Sequence, residues 1–321
     1  MKTFPCFLSV LLIQSIACAD FNSDARGTTT ANFLKLGVGA RAMGMGEAYS
    51  AVADDATALY WNPAGLARIQ SSEASLMHAP YLDSTYYDYG AFAHRFGNHA
   101  LGVGFQYFSA GSISETDVNN ASLGSFSPYD LAISFGCAYR LSESGYAVGV
   151  AGKYIQSRIL EIATAGAVDF GLQSRPYWDR LRLAFVVSNL GSKMKFEQES
   201  DSLPLVLRYG SSMQLTDHWL ASFDFVSPKD NAAYVALGTE YRWWVKEGFS
   251  LDGRLGYDSL TAGDINGMTG LSFGFGVGWQ NLNFDYAFLP YGSLGLTQRI
   301  SLAFRWGGEG ETHQNIEKVS Q

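Results

Sequence analysis

The chain has 321 residues, of which 16% are charged, 14% are aromatic and 35 are glycine. Soluble domains are roughly 25% charged, so the composition disfavours a soluble enzyme and suits a transmembrane β-barrel, whose strands are apolar on one face only. The net charge of −8 argues against nucleic-acid binding, because such proteins present a basic surface to the phosphate backbone.

Residues 1–19 are predicted to be a signal peptide. Lys2 supplies the positive end, an apolar stretch follows, and Ala17-Cys18-Ala19 matches a small-residue cleavage site. The alternative is a lipoprotein signal with Cys18 acylated, although such signals usually have leucine where Ser15 stands. Cleavage after Ala19 leaves Cys137 as a single cysteine, so no internal disulfide is expected.

Residues 20–69 are predicted to form a small N-terminal unit that contains one short helix. The two adjacent residues Asp54 and Asp55 are interpreted as a helix cap rather than as an acid–base pair. The helix is expected to continue to about Trp61. Pro63 then ends it, because proline lacks a backbone N–H and disfavours helical geometry in the residue before it.

Residues 70–306 are predicted to form a closed, all-β barrel of fourteen antiparallel strands. Apolar and polar residues alternate with a period of two, and turn residues separate the runs. The run lengths match the ~9–11 residues that a tilted strand needs to cross a membrane. The predicted strands are 72–79, 86–95, 99–109, 128–140, 145–157, 164–173, 180–189, 204–215, 218–226, 231–242, 247–258, 269–279, 281–290 and 296–306.

The connections between these strands tend to alternate between long and short. YLDSTY and AGSISETDVNNASLGSFS are long, whereas FGN, SES and TD are short. Outer-membrane barrels have short periplasmic turns and longer outer loops, whereas a soluble β-sandwich has no reason to keep this alternation. We therefore expect the bacterial outer membrane as the location, with the N-terminus and the polar tail, residues 307–321, in the periplasm.

The charged residues of the strands are predicted to face the barrel interior. In residues 271–279, LSFGFGVGW, large apolar residues alternate with serine and glycine. An arginine facing the bilayer midplane costs about 2–4 kcal/mol, so the charged face has to be the inner one. Both signs occur, and we favour an electrostatic network over a permeation path. The predicted lumenal charges are Asp130, Arg140, Lys153, Asp169, Arg182, Arg208, Asp224, Glu240, Arg242, Asp252, Arg254, Asp285, Arg299 and Arg305.

The N-terminal unit is predicted to fill the barrel as a hatch. A barrel of this size encloses a lumen that its own small side chains cannot fill. Four glycines are expected to allow close backbone contact with the wall: Gly37, Gly39, Gly44 and Gly46. A turn is expected to guide the chain into the first strand, and its residues are Asn62, Pro63, Ala64 and Gly65. Asn62 is expected to bond to hatch backbone rather than to a ligand.

The stretch FLKLGVGARAMGMGEAYSAVADDATALYWNPAGLARI, residues 33–69, resembles the N-terminal signature of PorV/PorQ-type proteins. It is also similar to the hatch of FadL-type (Toluene-X-like) transporters, which share the Asn-Pro-Ala turn. The resemblance rests on Arg41, Gly44, Gly46, Asp54, Trp61, Asn62, Pro63, Ala64 and Gly65. It implies a fourteen-stranded outer-membrane barrel with an N-terminal hatch.

Two functions follow from the resemblance. FadL-type members pass fatty acids or aromatic hydrocarbons through a lateral opening after the hatch rearranges, and we favour this function. The alternative is a PorV-like component or scaffold of type IX secretion that binds cargo signal domains. The expected partners are outer-membrane lipid, a hydrophobic small molecule, or secretion proteins and cargo. The apolar hatch residues expected to contact a ligand are Phe33, Leu34, Leu36, Met43 and Met45.

No catalytic, cofactor or metal site is predicted. The Gly-x-Gly pairs at residues 37–39 and 44–46 lack the preceding strand and βαβ unit that a dinucleotide site requires. The five histidines show no metal-ligand spacing, and no G-x-S-x-G motif of a lipase occurs. An enzyme is therefore the function that we favour least, behind a purely structural barrel.

Overall fold

The computed structural model describes residues 25–81, 84–141, 145–196, 199–262 and 269–307. The predicted signal peptide, including Cys18, and residues 308–321 of the polar tail lie outside these ranges. Among the described residues, no helix is long and apolar enough to cross a membrane.

Fourteen antiparallel strands close into a barrel, which confirms the predicted fold class. The ring closes where the first strand pairs with the last, from Ser72 opposite Trp306 to His78 opposite Ile300. Two further hairpins, β4–β5 and β10–β11, form small sheets of their own. The strands are β1 (Ser72–Pro80), β2 (Tyr86–Phe96), β3 (His99–Ser109), β4 (Ile113–Thr116), β5 (Ser122–Phe126), β6 (Tyr129–Arg140), β7 (Ala147–Arg158), β8 (Ile162–Gln173), β9 (Leu181–Gly191), β10 (Met194–Phe196), β11 (Glu199–Asp201), β12 (Val206–Thr216), β13 (Trp219–Pro228), β14 (Tyr234–Lys246), β15 (Phe249–Asp258), β16 (Leu271–Trp279), β17 (Leu282–Pro290) and β18 (Leu296–Trp306).

The two ends of the barrel differ in their connections. At one end, which we call the short-turn end, tight turns such as residues 97–98, 217–218 and 247–248 join neighbouring strands. At the other, the long-loop end, longer connections join β3 to β6, β9 to β12 and β15 to β16, and both loop hairpins lie there. β1 begins and β18 ends at the short-turn end.

Side chains alternate between the outside and the inside of the barrel along each strand. In β16, Leu271, Phe273 and Phe275 are exposed on the outer face, whereas Ser272 is buried on the inner face. The exposed aromatic and aliphatic residues of the other strands form a similar outer surface. Such an apolar outer face is typical of a barrel that spans a membrane.

Residues 25–71, which we call the lumenal segment, run through the barrel from one end to the other. The Thr30 amide donates to the Ser202 carbonyl at 3.1 Å in a connection at the long-loop end. The Ser71 hydroxyl donates to the Trp306 carbonyl at 2.6 Å at the short-turn end. The described chain therefore starts at the long-loop end, whereas the sequence analysis placed the N-terminus at the other end. The start of β1 determines only where the segment ends, because its preceding residues fold back through the lumen.

The lumenal segment contains several short helices, and the one helix that the sequence predicted is shorter than expected. They are a 3₁₀ helix (Asn32–Lys35), α1 (Ala40–Gly44), α2 (Ala58–Trp61) and a second 3₁₀ helix (Pro63–Arg68). Neither aspartate is the residue before α2. Asp54 instead accepts a hydrogen bond from Arg41 at 2.8 Å, and Asp55 accepts one from the Thr57 amide at 2.9 Å. The expected helix from residue 54 to Trp61 is therefore reduced to its last turn.

The lumenal segment contacts the wall closely where two pairs of glycines meet. A Cβ atom on Gly44 would lie 2.8 Å from the Cα of Gly274. A Cβ on Gly256 would lie 2.0 Å from the Gly46 amide nitrogen. Any side chain at these positions would push the segment away from β15 and β16.

At the other two predicted glycines, the atoms nearest to an added Cβ belong to the lumenal segment, although the Gly39 amide also contacts the wall by donating to the sulfur of Met77 in β1 at 3.1 Å. A Cβ on Gly37 would lie 2.3 Å from the sulfur of Met43, and one on Gly39 would lie 3.1 Å from the Thr57 methyl group. Both contacts are within the lumenal segment. Gly39 also has φ +79, a backbone conformation that favours glycine.

Candidate functional site

A cavity of about 270 Å³ lies beside the lumenal segment in the half of the barrel near the long-loop end. We call it the inner cavity. Its wall is formed by residues of β7, β9, β12, β14, β16, β17 and β18 and by the first part of the lumenal segment. Its lining residues include Leu34, Leu36, Met43, Glu47, Tyr81, Lys153, Arg208, Ser272, Leu289, Tyr291 and Arg299.

A second cavity of about 420 Å³, the side cavity, lies at the same end against β3, β6 and β7. Phe33, Phe108 and Ile159 give it a largely apolar lining. Leu36 and Tyr81 line both cavities. The 3₁₀ helix at residues 32–35 thus separates two neighbouring spaces that both reach the long-loop end.

The predicted ligand-contact residues are distributed unevenly around these cavities. Phe33 faces the side cavity, Met43 faces the inner cavity, and Leu36 faces both. Met45 is fully buried and lines neither of them. It packs against Gly238, where an added Cβ would lie 2.9 Å from the Met45 Cβ. The sequence could not show that Met43 lines a cavity and Met45 does not, because both occur in the same glycine-rich stretch without periodicity.

All fourteen charged residues predicted to be lumenal occupy inward-facing positions of their strands. The buried ones are Lys153, Asp169, Arg208, Asp224, Glu240, Asp252, Arg254, Asp285 and Arg299. The partly exposed ones are Asp130, Arg140, Arg182, Arg242 and Arg305. Glu73 in β1 follows the same alternation and is buried too, although the sequence analysis did not include it.

An ion-pair network centred on Glu240 joins the lumenal segment to the wall near the short-turn end. Arg41 donates to both carboxylate oxygens of Glu240, at 2.8 and 2.9 Å. Arg254 donates to one of these oxygens at 2.6 Å and also contacts Asp285 at 2.7 Å and Asp252 at 3.2 Å. Removing one partner of such a buried pair leaves an uncompensated charge, which is strongly destabilising.

The same network extends to Asp54 in the lumenal segment. Burial raises the pKa of Asp54, whereas the positive charges of Arg41 and Arg305 lower it, and the net effect is a lowered pKa. Arg305 also donates to Glu73 at 2.6 Å. A cavity beside this network, lined by Arg41, Glu73 and Arg242 among others, measures about 30 Å³, little more than the ~10–15 Å³ that one water needs. Around this network, the lumenal segment and the wall are therefore closely packed.

A second buried ion pair lies where the register of β8 and β9 changes. Lys153 Nζ lies 2.6 Å from Asp169 and donates to the Asn189 side chain at 2.8 Å. The pairing shifts between Val168 and Phe170, and Asn189 adopts φ 63. Such a bulge redirects side chains and interrupts the ladder of hydrogen bonds. No residue pattern in the sequence predicted it.

A third group of charges lies beneath the inner cavity. Arg208 donates to the Glu47 carbonyl at 3.2 Å and lies 3.7 Å from Asp224. Asp224 accepts hydrogen bonds from the amide and the hydroxyl of Ser50, at 3.1 and 2.9 Å. Burial raises the pKa of Glu47, and the positive charges of Arg208 and Arg299 oppose this shift only in part.

The predicted Asn-Pro-Ala-Gly turn lies where the lumenal segment meets β8. The Asn62 side chain donates to the carbonyls of Ser50 at 2.8 Å and Leu172 at 3.2 Å. It accepts a hydrogen bond from the Ala64 amide at 3.1 Å. A Cβ on Gly171 would lie 2.1 Å from the Asn62 side-chain oxygen. Asn62 therefore links the lumenal segment to the backbone of the wall.

The remaining turn residues are packed equally closely. A Cβ on Gly149 of β7 would lie 2.3 Å from the Pro63 carbonyl carbon, and one on Gly65 would lie 2.4 Å from the Ala53 carbonyl oxygen. Both sites leave no room for a side chain.

Within the described ranges, no group of three or more His, Cys, Asp or Glu residues is arranged to hold a metal ion.

The fold is similar to those of two solved toluene transporters and of a FadL homologue. The toluene transporter TbuX of Ralstonia pickettii is 13% identical, with a TM-score of 0.53 over 84% of this chain and 99% of that chain. The toluene transporter TodX of Pseudomonas putida is 13% identical, with a TM-score of 0.53 over 83% and 96%. A FadL homologue of Pseudomonas aeruginosa is 12% identical, with a TM-score of 0.50 over 89% and 99%. At these identities the similarity shows the fold alone.

No curated protein sequence matches the chain. The family model described as Type IX secretion system protein PorV matches residues 20–240. This range contains the whole lumenal segment and the barrel from β1 into β14, which is more than half of the chain. The resemblance found in residues 33–69 is thereby confirmed, and the chain belongs to the PorV family of type IX secretion system proteins.

Proposed function

We propose that this protein is an outer-membrane component of type IX secretion that binds a secreted polypeptide or a partner protein at its long-loop end. The short-turn end lies in the periplasm in this proposal, and the lumenal segment is a hatch that stays in place. The observation that carries the proposal is the close packing of the lumenal segment and the wall around the Glu240 network, together with membership of the PorV family.

Passage through the lumen would require several buried ion pairs to separate. Arg41 would have to leave Glu240, and the contacts of Arg254 would have to rearrange. Breaking a buried pair by removing one partner costs about 3–5 kcal/mol. Binding at the long-loop end needs no such rearrangement. These contacts therefore support a binding site that is open only at the long-loop end, rather than an open channel.

The long-loop end offers a surface suited to a polypeptide partner. The hairpin β4–β5 extends from the connection between β3 and β6 and forms a two-stranded sheet of its own. Ile113, Val118 and Leu123 on this connection are exposed, Val118 completely. Exposed apolar residues beside unpaired strand edges are typical of sites where another chain binds.

A deletion of the gene in the source organism tests the proposal. We expect cargo with type IX signal domains to accumulate inside the cells and to disappear from the medium. The wild-type gene should restore secretion. A variant in which residues 113–126 are replaced by a short glycine–serine linker should fold, but restore secretion poorly. Normal secretion in the deletion strain would reject the proposal.

A channel for hydrophobic small molecules is the second candidate. It is favoured by the side cavity of about 420 Å³, which has a largely apolar lining that includes Phe33, Phe108 and Ile159. Uptake of toluene and of fatty acids by the deletion strain separates the two candidates. Reduced uptake with intact secretion supports the channel, whereas intact uptake with lost secretion supports the secretion component.

A further inference from the structure

The inner cavity contains a buried arginine, Arg299, that makes no direct ion pair with any described residue. Arg299 is 1% exposed, and its Nε and Nη1 atoms find no hydrogen-bond acceptor. Its guanidinium lies 5.1 Å from the centre of the Tyr81 ring. This contact orients the guanidinium and stabilises it in part, but it supplies no negative charge.

The other cations that line this cavity each have a carboxylate partner. These ion pairs are Lys35–Asp230 at 2.5 Å, Lys153–Asp169 at 2.6 Å and Arg208–Glu47 at 3.5 Å. Arg299 makes no ion pair within 4.0 Å in the described part of the chain. An unpaired charge away from water is unfavourable. Glu47 acts on Arg299 only from beyond ion-pair distance, so an anion that enters the cavity can supply the direct contact that the described protein groups do not make.

The remainder of the cavity suits an aromatic body. The Tyr81 ring packs edge-on against Tyr291, with 6.4 Å between ring centres, and Leu34 and Leu289 add apolar surface. The Ser272 hydroxyl, which also lines the cavity, has no hydrogen-bond partner. The volume of about 270 Å³ lies just below the range of ~300–1,000 Å³ for drug-sized ligands, so a ligand with one ring fits.

We propose that the inner cavity binds a small aromatic carboxylate, with its carboxylate on the guanidinium of Arg299 and its ring against Tyr81 and Tyr291. A neutral hydrocarbon of the same size would leave the guanidinium uncompensated. A small inorganic anion would leave the aromatic surface uncovered. Both the charge and the ring are therefore required for binding.

Calorimetric titration of the purified, detergent-solubilised barrel with phenylacetate tests this site. We expect saturable binding that neither toluene nor inorganic phosphate displaces at equal concentration. Arg299→Gln should weaken the affinity at least tenfold, whereas Arg299→Lys, which keeps the charge, should weaken it less. Arg140→Gln is the matched control, because Arg140 faces inward but lines neither cavity. It should change the affinity less than twofold.

Three results would overturn the proposal: no binding of phenylacetate at millimolar concentration, equal displacement by toluene or phosphate, or unchanged affinity in Arg299→Gln. If Arg299→Gln does not fold, Arg299→Lys is compared with the control Arg140→Gln instead. An equal change of affinity in these two variants would also overturn the proposal. The site does not depend on the role in secretion. Because binding is measured on the isolated barrel, its absence leaves the secretion proposal standing, and normal secretion in the deletion strain leaves this site standing.

Discussion

Gly44 in α1 lies against Gly274 in β16 with no side chain between them. A Cβ atom on Gly44 would be 2.8 Å from the Gly274 Cα, and one on Gly274 would be 3.0 Å from the Gly44 Cα. This contact holds α1 against the wall at the level where Arg41 reaches Glu240. The absence of two methyl groups thus determines how closely the lumenal segment and the barrel pack.

Gly44→Ala is expected to destabilise the folded barrel by about 1–3 kcal/mol, because overpacking forces neighbouring backbone apart. The temperature at which the folded band disappears on a gel of unboiled samples measures the effect. Gly253→Ala is the matched control, since an added Cβ there meets nothing within 4 Å. Equal stability of the two variants would contradict the close contact.

Glu240→Gln is expected to destabilise the barrel by about 3–5 kcal/mol, because Arg41 and Arg254 lose their shared counter-ion. The conductance of single barrels in planar bilayers should rise, since the network packs the lumenal segment closely against the wall. Glu115→Gln serves as the control, because Glu115 lies in the exposed hairpin β4–β5. A variant with unchanged conductance and stability would show that the network does not seal the lumen.

Asn62→Asp is expected to cost about 1–3 kcal/mol, because two buried carbonyls lose their donor. These are the carbonyls of Ser50 and Leu172. The aspartate keeps an acceptor for the Ala64 amide, so Asn62→Ala should be at least as destabilising. Asn281→Asp in an exposed turn should have little effect on the thermal transition. If Asn62→Asp unfolds at the same temperature as the wild type, the link between the lumenal segment and the wall is not important for stability.

Glu47→Gln is expected to stabilise the protein increasingly as the pH rises. Burial raises the pKa of Glu47 in the folded protein above the unfolded value of about 4.3. The protonated carboxyl therefore stabilises the fold at low pH, and this contribution is lost as the pH rises through the raised pKa. Glutamine stays neutral throughout.

Thermal transitions of Glu47→Gln and wild type between pH 4 and pH 8 measure this difference. It should be near zero at pH 4 and favour the variant at pH 8, whereas Glu115→Gln should show no such trend. A variant that is less stable than the wild type at pH 8 would mean that the ion pair with Arg208 outweighs the cost of burial.

The strands were predictable because their signals are local. The alternation of apolar and polar residues and the intervening turn residues are features of neighbouring positions, and all fourteen barrel strands were found. The exceptions have physical causes. β14 continues past residue 242 to Lys246, because its pairing with β15 resumes after an irregularity between Trp244 and Lys246. The hairpin β4–β5 was not predicted, since its exposed strands lack an apolar face. The hairpin β10–β11 was not predicted either, since each of its strands has only three residues.

The sequence by itself determined the number of strands and the side of the wall on which each charge lies, since both follow from a period of two along the chain. Only the tertiary structure decided which charges meet. Arg41 and Glu240 are 199 residues apart, whereas Arg299 on the same inner face makes no ion pair with any described residue. Their distances depend on how the barrel closes and how the lumenal segment passes through it, which no local pattern encodes.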